Sequence, residues 1–449
     1  MHSPVSGLPA AESVGSFPDG FRWGVSLSAH QTEGGNLNDW SQWEQAQAPR
    51  LARAAAARYA RKSPAWPQIA AQAVSPENYR SVRAVEHYQR YAADFDLAAA
   101  LHVNSLRISL EWSRLVPAEG VLDEAAAAHY RDVLAALRQR RLEPFVTLWH
   151  WPLPLWVSRR GGWFASRTID DFLWYVQRAG ELFSGQVRYW VTINEPMVYV
   201  YHAYLTGAWP PQKKNVLYAE RVLQHLLQAH RRAYACLKNI SAAHQIAIAK
   251  NNIHFEAKNN HPVNRAARAL VDRYWNQRIL RNIDDAQDFI GLNHYFHKVI
   301  GFGSGNNDQR IVSDVGWELF PASMYEVLVA LGGYQKPIYI LENGVADACD
   351  RLRPWYLGAV LQQVLRAINT AIPVKGYFHW SLLDNFEWEK GFWPRFGLYA
   401  VDYRTLQRIA RPSAALYAQI CHQNALPGQL PPAPSVIDEP ARYNQDGGR

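Results

Sequence analysis

The stretch VRYWVTINEP, residues 187–196, runs from an apolar segment into a carboxylate, Glu195, flanked by Asn194 and stopped by Pro196. Val187 to Ile193 is apolar enough to be buried on both faces, as a strand of a helix-covered parallel sheet is. A carboxylate in mid-strand would be a solvated side chain. Here it ends the strand and sits at its C-terminal mouth.

Working outward, similar short apolar runs recur along the chain. They are FRWGVSLS (21–28), NSLRIS (104–109), EPFVTLW (143–149), VRYWVTI (187–193), QIAIAKN (245–251), DFIGLNHY (288–295), PIYILEN (337–343) and VKGYFHW (374–380). Amphipathic helical patterns lie between them, at 86–101, 124–140, 168–184, 218–238, 262–280, 321–332, 353–370 and 412–422. Strand and helix alternating without a linker predict an α/β chain closed as a single (β/α)8 barrel with long βα loops, not two doubly wound domains. The barrel is expected over residues 15–425. It includes an Ala-, Arg- and Pro-rich excursion at 46–80, expected to be partly helical and without a catalytic role. Residues 426–449 read as a Pro-rich, extended tail.

Composition narrows the function. With 48% hydrophobic and 19% charged residues in 449, the chain can bury a large core. The net charge of +8 is densest from Arg50 to Arg90, without a nucleic-acid-binding module, and reads as a solvated face. Cys236, Cys349 and Cys421 are far apart and form no CxxC pair, which argues against a disulfide framework or a zinc-cysteine site and for a reducing compartment. No signal-like segment or membrane-length apolar run is present, so a cytoplasmic protein without nucleic-acid or membrane partners is expected. His294 and His297 are spaced like metal ligands but have no evident third ligand, and GFGSGNND (301–308) lacks the GxGxxG spacing and reads as a surface turn. Neither a metal nor another cofactor is expected. The 18 Trp and 23 Tyr offer flat apolar faces with polar edges, suited to sugars.

In such a barrel the chemistry lies at the C-terminal strand ends. Gln31, Arg107, His150, Asn194, Glu195, Asn293, Tyr295, Glu342, Asn343 and Trp380 fall there. Glu195 and Glu342 each end an apolar strand, the fourth and the seventh, on opposite sides of the barrel. Two opposed carboxylates are the minimal equipment for cleaving a glycosidic bond.

FPDGFRWGVSLSAHQTEG, LRISLEWSRLVP, TLWHWPLPLWV, TINEP, GLNHY, YILENG and WSLLDNFEWEKGFWPRFGLYAVDY resemble, in order from about residue 17 to 420, the successive motifs of family 1 glycoside hydrolases. These are retaining β-glucosidase and β-galactosidase barrels, and TLWHWPLPLWV and LEWSRLVP are most similar to the archaeal-type enzymes. The resemblance implies Glu195 as acid/base and Glu342 as nucleophile. Arg107 and Tyr295 match contacts of the nucleophile, and Asn194 a partner of the sugar 2-hydroxyl. Gln31, His150, Asn293, Glu387 and Trp388 match sugar-binding positions, Trp380 the floor under the ring, and Trp317 the border of the leaving-group side. Glu387 would repel a 6-phosphate, where phospho-glycosidase relatives carry a Ser-type pattern, and Glu195 in place of the Gln of plant myrosinases implies O-glycosides. Small β-glycosides or short oligosaccharides are the implied substrates. A silent sugar-binding barrel is the alternative, disfavoured because Glu195, Glu342, Arg107 and Tyr295 are all present. A metal-dependent hydrolase using the His residues is a third reading, which chelator-insensitive activity would exclude.

Overall fold

The computed structural model describes residues 13–301 and 311–434. Its centre is a closed barrel of eight parallel strands. These are β1 (Arg22–Ser26), β2 (Ser105–Ser109), β3 (Glu143–Trp149), β4 (Tyr189–Asn194), β5 (Gln245–Asn251), β6 (Ile290–Asn293), β7 (Ile338–Asn343) and β8 (Val374–Trp380). Each pairs with the next in chain order, and β8 closes on β1. Every strand expected from periodicity is present, most of them a residue or more shorter.

The outer helices are His87–Ala100, Glu124–Gln139, Thr168–Phe183, Val216–Ile240, Pro262–Asp272, Ser323–Gly332, Arg353–Asn369 and Pro412–Gln423. The helix expected over 262–280 instead passes through a π-helical turn at Arg273–Gln277 and ends at Asn282. Along β2, Leu106 and Ile108 join the layer under the helices, while Arg107 faces the axis and reaches Thr147 of β3. Strand alternation thus divides β3, β4, β5, β7 and β8 between two cores. The inner one is an aromatic plug of Phe145, Tyr189, Phe289, Tyr339 and Phe378, closed by Val191, Ala247, Ala249 and Leu341. Phe145 and Tyr189 stack at 4.2 Å.

The excursion after β1 is partly helical, as expected. Helix α1 runs over Asp39–Tyr59, and α2 over Trp66–Ala73. Asn38 caps α1 by accepting from the Ser41 amide at 2.9 Å, while Ser41 Oγ accepts from the Asn38 amide at 3.0 Å. Pro49 lies within α1 and obscures its periodicity. Burial of Trp40, Trp43, Ala48, Leu51, Ala52 and Ala55 along one face carries the helix through. Arg50, Arg53, Arg61 and Lys62 are exposed, as expected of a solvated face. The other face has a task that the sequence concealed: Ala55, Ile69 and Ala73 pack in one cluster with Trp380, Trp393 and Phe396.

The tail expected from residue 426 begins later. Ala425–Pro427 forms a strand antiparallel to Ser13–Ser16, with Leu426 opposite Gly15. Asn424 tightens this closure, donating to Phe17 O at 2.8 Å and accepting from Trp23 Nε1 at 2.9 Å. The surface turn expected at 301–308 lies, apart from Gly301, outside the described residues, as does the tail from 435. Among the described residues no helix is long and apolar enough to cross a membrane.

Candidate active site

Strict alternation would turn Glu342 the wrong way, and on β4, where Tyr189 and Val191 face the inner plug, it would turn Asn194 away from the axis. Tyr339 and Leu341 belong to the inner plug, so an uninterrupted β7 would send Glu342 outward. The pairing register of β7 shifts between Ile340 and Glu342 against β6, and that of β4 shifts between Val191 and Asn194 against β5. An irregularity of this kind re-aims a side chain. Glu195 then turns again, in a left-handed backbone at φ 43° and ψ 61°, before Pro196 opens a short helix. Such a conformation costs a non-glycine residue of order 1 kcal/mol or more and is retained where the surroundings fix it.

The network around the two carboxylates is asymmetric. Arg107 donates Nη1 to Glu342 Oε1, Nη2 to Asn194 Oδ1 at 2.7 Å and Nε to Thr147 Oγ1 at 3.0 Å. Tyr295 donates its hydroxyl to Glu342 Oε2 at 3.0 Å. Glu195 receives only amide donors at Oε1: Asn293 Nδ2 at 2.9 Å and Asn251 Nδ2 at 3.3 Å. Both glutamates are buried. Burial, and then the charge of Glu342, push Glu195 up to about 8, while hydrogen bonds from Asn293 and Asn251 oppose the rise. Burial raises Glu342 as well, but the Arg107 guanidinium and the Tyr295 hydroxyl pull it back. The arrangement therefore favours the proton on Glu195 and the charge on Glu342.

Asn194 has its amide orientation set by Arg107, so Nδ2 is left to donate to His150 Nε2 at 3.0 Å. Burial drives the His150 ring far below its ordinary value and keeps it neutral. With Nε2 accepting, the proton resides on Nδ1, which has no partner among the described residues. Asn293 Oδ1 is likewise buried without a partner. A donor and an acceptor are thus left to a ligand.

A family model described as glycosyl hydrolase family 1 matches residues 13–281 and 275–426. The chain belongs to glycosyl hydrolase family 1. It is 30% identical over 464 residues to a 1,4-beta-D-glucan glucohydrolase of Thermotoga neapolitana, covering 91% of this chain and 99% of that one. It is 29% identical to a beta-galactosidase of Sulfolobus acidocaldarius, over 92% and 97% of the two chains. Among solved structures, a beta-glycosidase from Pyrococcus horikoshii superposes with a TM-score of 0.81 at 32% identity, over 92% of this chain and 96% of that chain. The beta-glucosidase from Thermotoga maritima superposes at 0.80 and 27% identity in its complex with glucoimidazole, and at 0.79 and 27% with galacto-hydroximolactam; each match covers 92% of this chain, with 100% and 99% of the other chain.

The remaining sequence candidates of this family 1 O-glycosyl hydrolase contact one another or the residues already placed. Gln31 Nε2 donates to Phe386 O at 2.7 Å, Asn385 Oδ1 at 3.1 Å and Glu387 Oε2 at 3.5 Å. The Trp388 ring lies nearly parallel to His150, with centroids 6.1 Å apart, and to His30 at 5.6 Å. Trp380 is 6.2 Å from His150. Burial raises Glu387 to about 7 against the pull of Lys390. Trp317 is half-buried, edge-on to Tyr295 at 5.9 Å and to Phe296 at 4.6 Å. Behind Glu342, Gly344 admits the chain against β8: a Cβ there would lie 1.9 Å from Trp380 O.

Asn343 and His294 are not in this group. Asn343 Nδ2 donates to His294 O at 2.7 Å, and the His294 ring bonds Asn252 O and Ser323 Oγ within the core. Asn251 and Lys250 were missed by sequence reading. Lys250 is a buried amine donating to Asn251 O, and burial lowers it to about 7 although Glu195 pulls it up. The signal was the polar KNN run (250–252) ending an apolar strand, the rule that found the other residues.

Proposed function

We propose that the protein is a retaining exo-β-glycosidase that removes terminal non-reducing β-D-glucosyl residues and accommodates β-galactosides and β-fucosides. The unequal surroundings of Glu195 and Glu342 carry this reading. Glu342, charged and aimed by Arg107 and Tyr295, attacks the anomeric carbon as Glu195 passes its proton to the departing oxygen. Glu195, now a base, takes a proton from water, and the water oxygen displaces Glu342 with net retention. Asn194, oriented by Arg107 and lying between it and His150, is assigned to the sugar 2-hydroxyl, a contact that strengthens as charge develops on the ring.

Gln31, His150, Asn293, Glu387 and Trp388 are assigned to the other hydroxyls, Trp380 to the floor of the glycone site and Trp317 to the leaving-group side. That a relative has been solved with both glucoimidazole and galacto-hydroximolactam supports a site open to both configurations. Residues 15–425 are proposed to act as one catalytic domain. The unpaired cysteines fit a reducing compartment, and the cytoplasm is the proposed location.

Proton NMR during hydrolysis of 4-nitrophenyl β-D-glucoside tests the reading. β-Glucose is expected before mutarotation mixes the anomers. α-Glucose first would overturn retention, and no turnover of glucoside, galactoside or fucoside would leave a silent barrel.

A further inference from the structure

Beyond the barrel mouth, β5 and β6 each continue into a short outer strand, His254–Ala257 and His297–Ile300, and the two pair in parallel with His254 opposite His297. Side chains two apart on a strand share a face, so Glu256 stands beside His254. The three groups converge. Glu256 Oε1 is 3.5 Å from His254 Nε2, and Glu256 Oε2 is 3.1 Å from His297 Nε2. One ligand atom from each residue lies within 4.8 Å of the others.

These spacings fit a specific coordination chemistry. Zinc bonds of about 2.0 to 2.1 Å in tetrahedral geometry place neighbouring ligand atoms about 3.3 Å apart. The two separations, each made by a different oxygen of Glu256, lie near that edge. The far nitrogen of His297 meets the Glu318 carboxylate, Nδ1 to Oε2 at 2.6 Å. A carboxylate in that position fixes the tautomer that directs the Nε2 lone pair toward an ion. Phe320 lies nearly parallel to the His297 ring, with centroids 4.4 Å apart, and limits its rotation. His254 and Glu256 border an open groove of about 930 Å³ that also meets Arg265 and Phe320, and it admits an ion with a water as fourth ligand. His294, which the sequence pairs with His297, is committed to the core; the missing ligands come instead from His254-Phe255-Glu256, which begins three residues beyond the end of β5.

We propose that His254, Glu256 and His297 form a binding site for a zinc-like divalent cation, with Glu318 holding His297 in its ligating orientation. The ion would tie together the outer strands that continue β5 and β6, a few residues beyond Asn251 and Tyr295. The site uses none of the groups assigned to hydrolysis, so its failure would leave the proposed function untouched.

The test uses the full chain, stripped with chelator and dialysed. Titration calorimetry with zinc should show one equivalent bound to the native protein and none to His254→Ala. Glu318→Gln, which keeps shape and removes the orienting charge, should weaken binding by about 10- to 100-fold. Far-UV circular dichroism establishes that each variant is folded. Cobalt in place of zinc should give the intense visible bands of a tetrahedral ion, lost in Glu256→Gln. No binding by the native protein, stoichiometry unchanged in folded His254→Ala, or the weak spectrum of octahedral cobalt would each overturn the site and leave His297 as a ring shared between Glu256 and Glu318.

Discussion

Replacing Glu342 by Gln keeps the size and burial of the side chain and removes one negative charge from the neighbourhood of Glu195. Carboxyls roughly 5 to 5.5 Å apart, as retention requires, repel by about 3 kcal/mol at an effective dielectric constant near 20. That corresponds to about two pH units in the midpoint of Glu195. Arg107, relieved of its carboxylate partner, acts in the same direction, because its charge already lowers Glu195. Burial, the larger cause, is untouched. The midpoint should therefore fall from about 8 by about two units and stop above the ordinary carboxylate range. Carbon NMR titration of carboxyl-labelled glutamate, with Glu195→Gln spectra for assignment, measures it in native and Glu342→Gln protein. In the native enzyme the same proton should appear kinetically. With an alkyl glucoside, kcat/KM should fall above about pH 8 as Glu195 ionises, whereas a dinitrophenyl glucoside, whose leaving group needs no proton, should lack that limb. A midpoint unmoved by Glu342→Gln, or a native Glu195 that titrates as an exposed carboxylate, would refute the coupling.

Three further substitutions separate the roles. Tyr295→Phe removes the donor 3.0 Å from Glu342; at about 1.5 to 3 kcal/mol for a hydrogen bond to a charged group, kcat/KM should fall by roughly 10- to 150-fold, and a loss below threefold would remove Tyr295 from the reacting set. Glu387→Ser should weaken glucoside cleavage and raise activity on 6-phosphoglucosides; unchanged glucoside kinetics would place Glu387 outside the pocket. Gly344→Ala drives a methyl group against Trp380 O, so urea denaturation should show a loss of about 1 to 3 kcal/mol, with a raised KM as Trp380 moves; native stability would mean that the strands yield without cost.

The sequence by itself determined the barrel, because each of its units is local: apolar runs a few residues long, helices at period 3.6, and polar residues closing each run. It also determined which residues stand at the strand ends, from Arg107 to Trp380. Three features exceeded that local grammar. Pro49 and the Ala- and Arg-rich composition let the excursion be read as partly helical but gave no bounds for α1, whose stability comes from Trp40, Trp43 and Leu51 packed in the core, or for α2, whose Ile69 packs in one cluster with Trp380. The aim of Asn194 and Glu342 was decided by register shifts against neighbouring strands, since alternation within β4 and β7 alone points both away from the axis, and that of Glu195 by its left-handed backbone. Finally, the meeting of His254 and Glu256 with His297 depends on a parallel pairing between segments about forty residues apart, and that pairing exists only because β5 and β6 are already neighbours in the closed barrel.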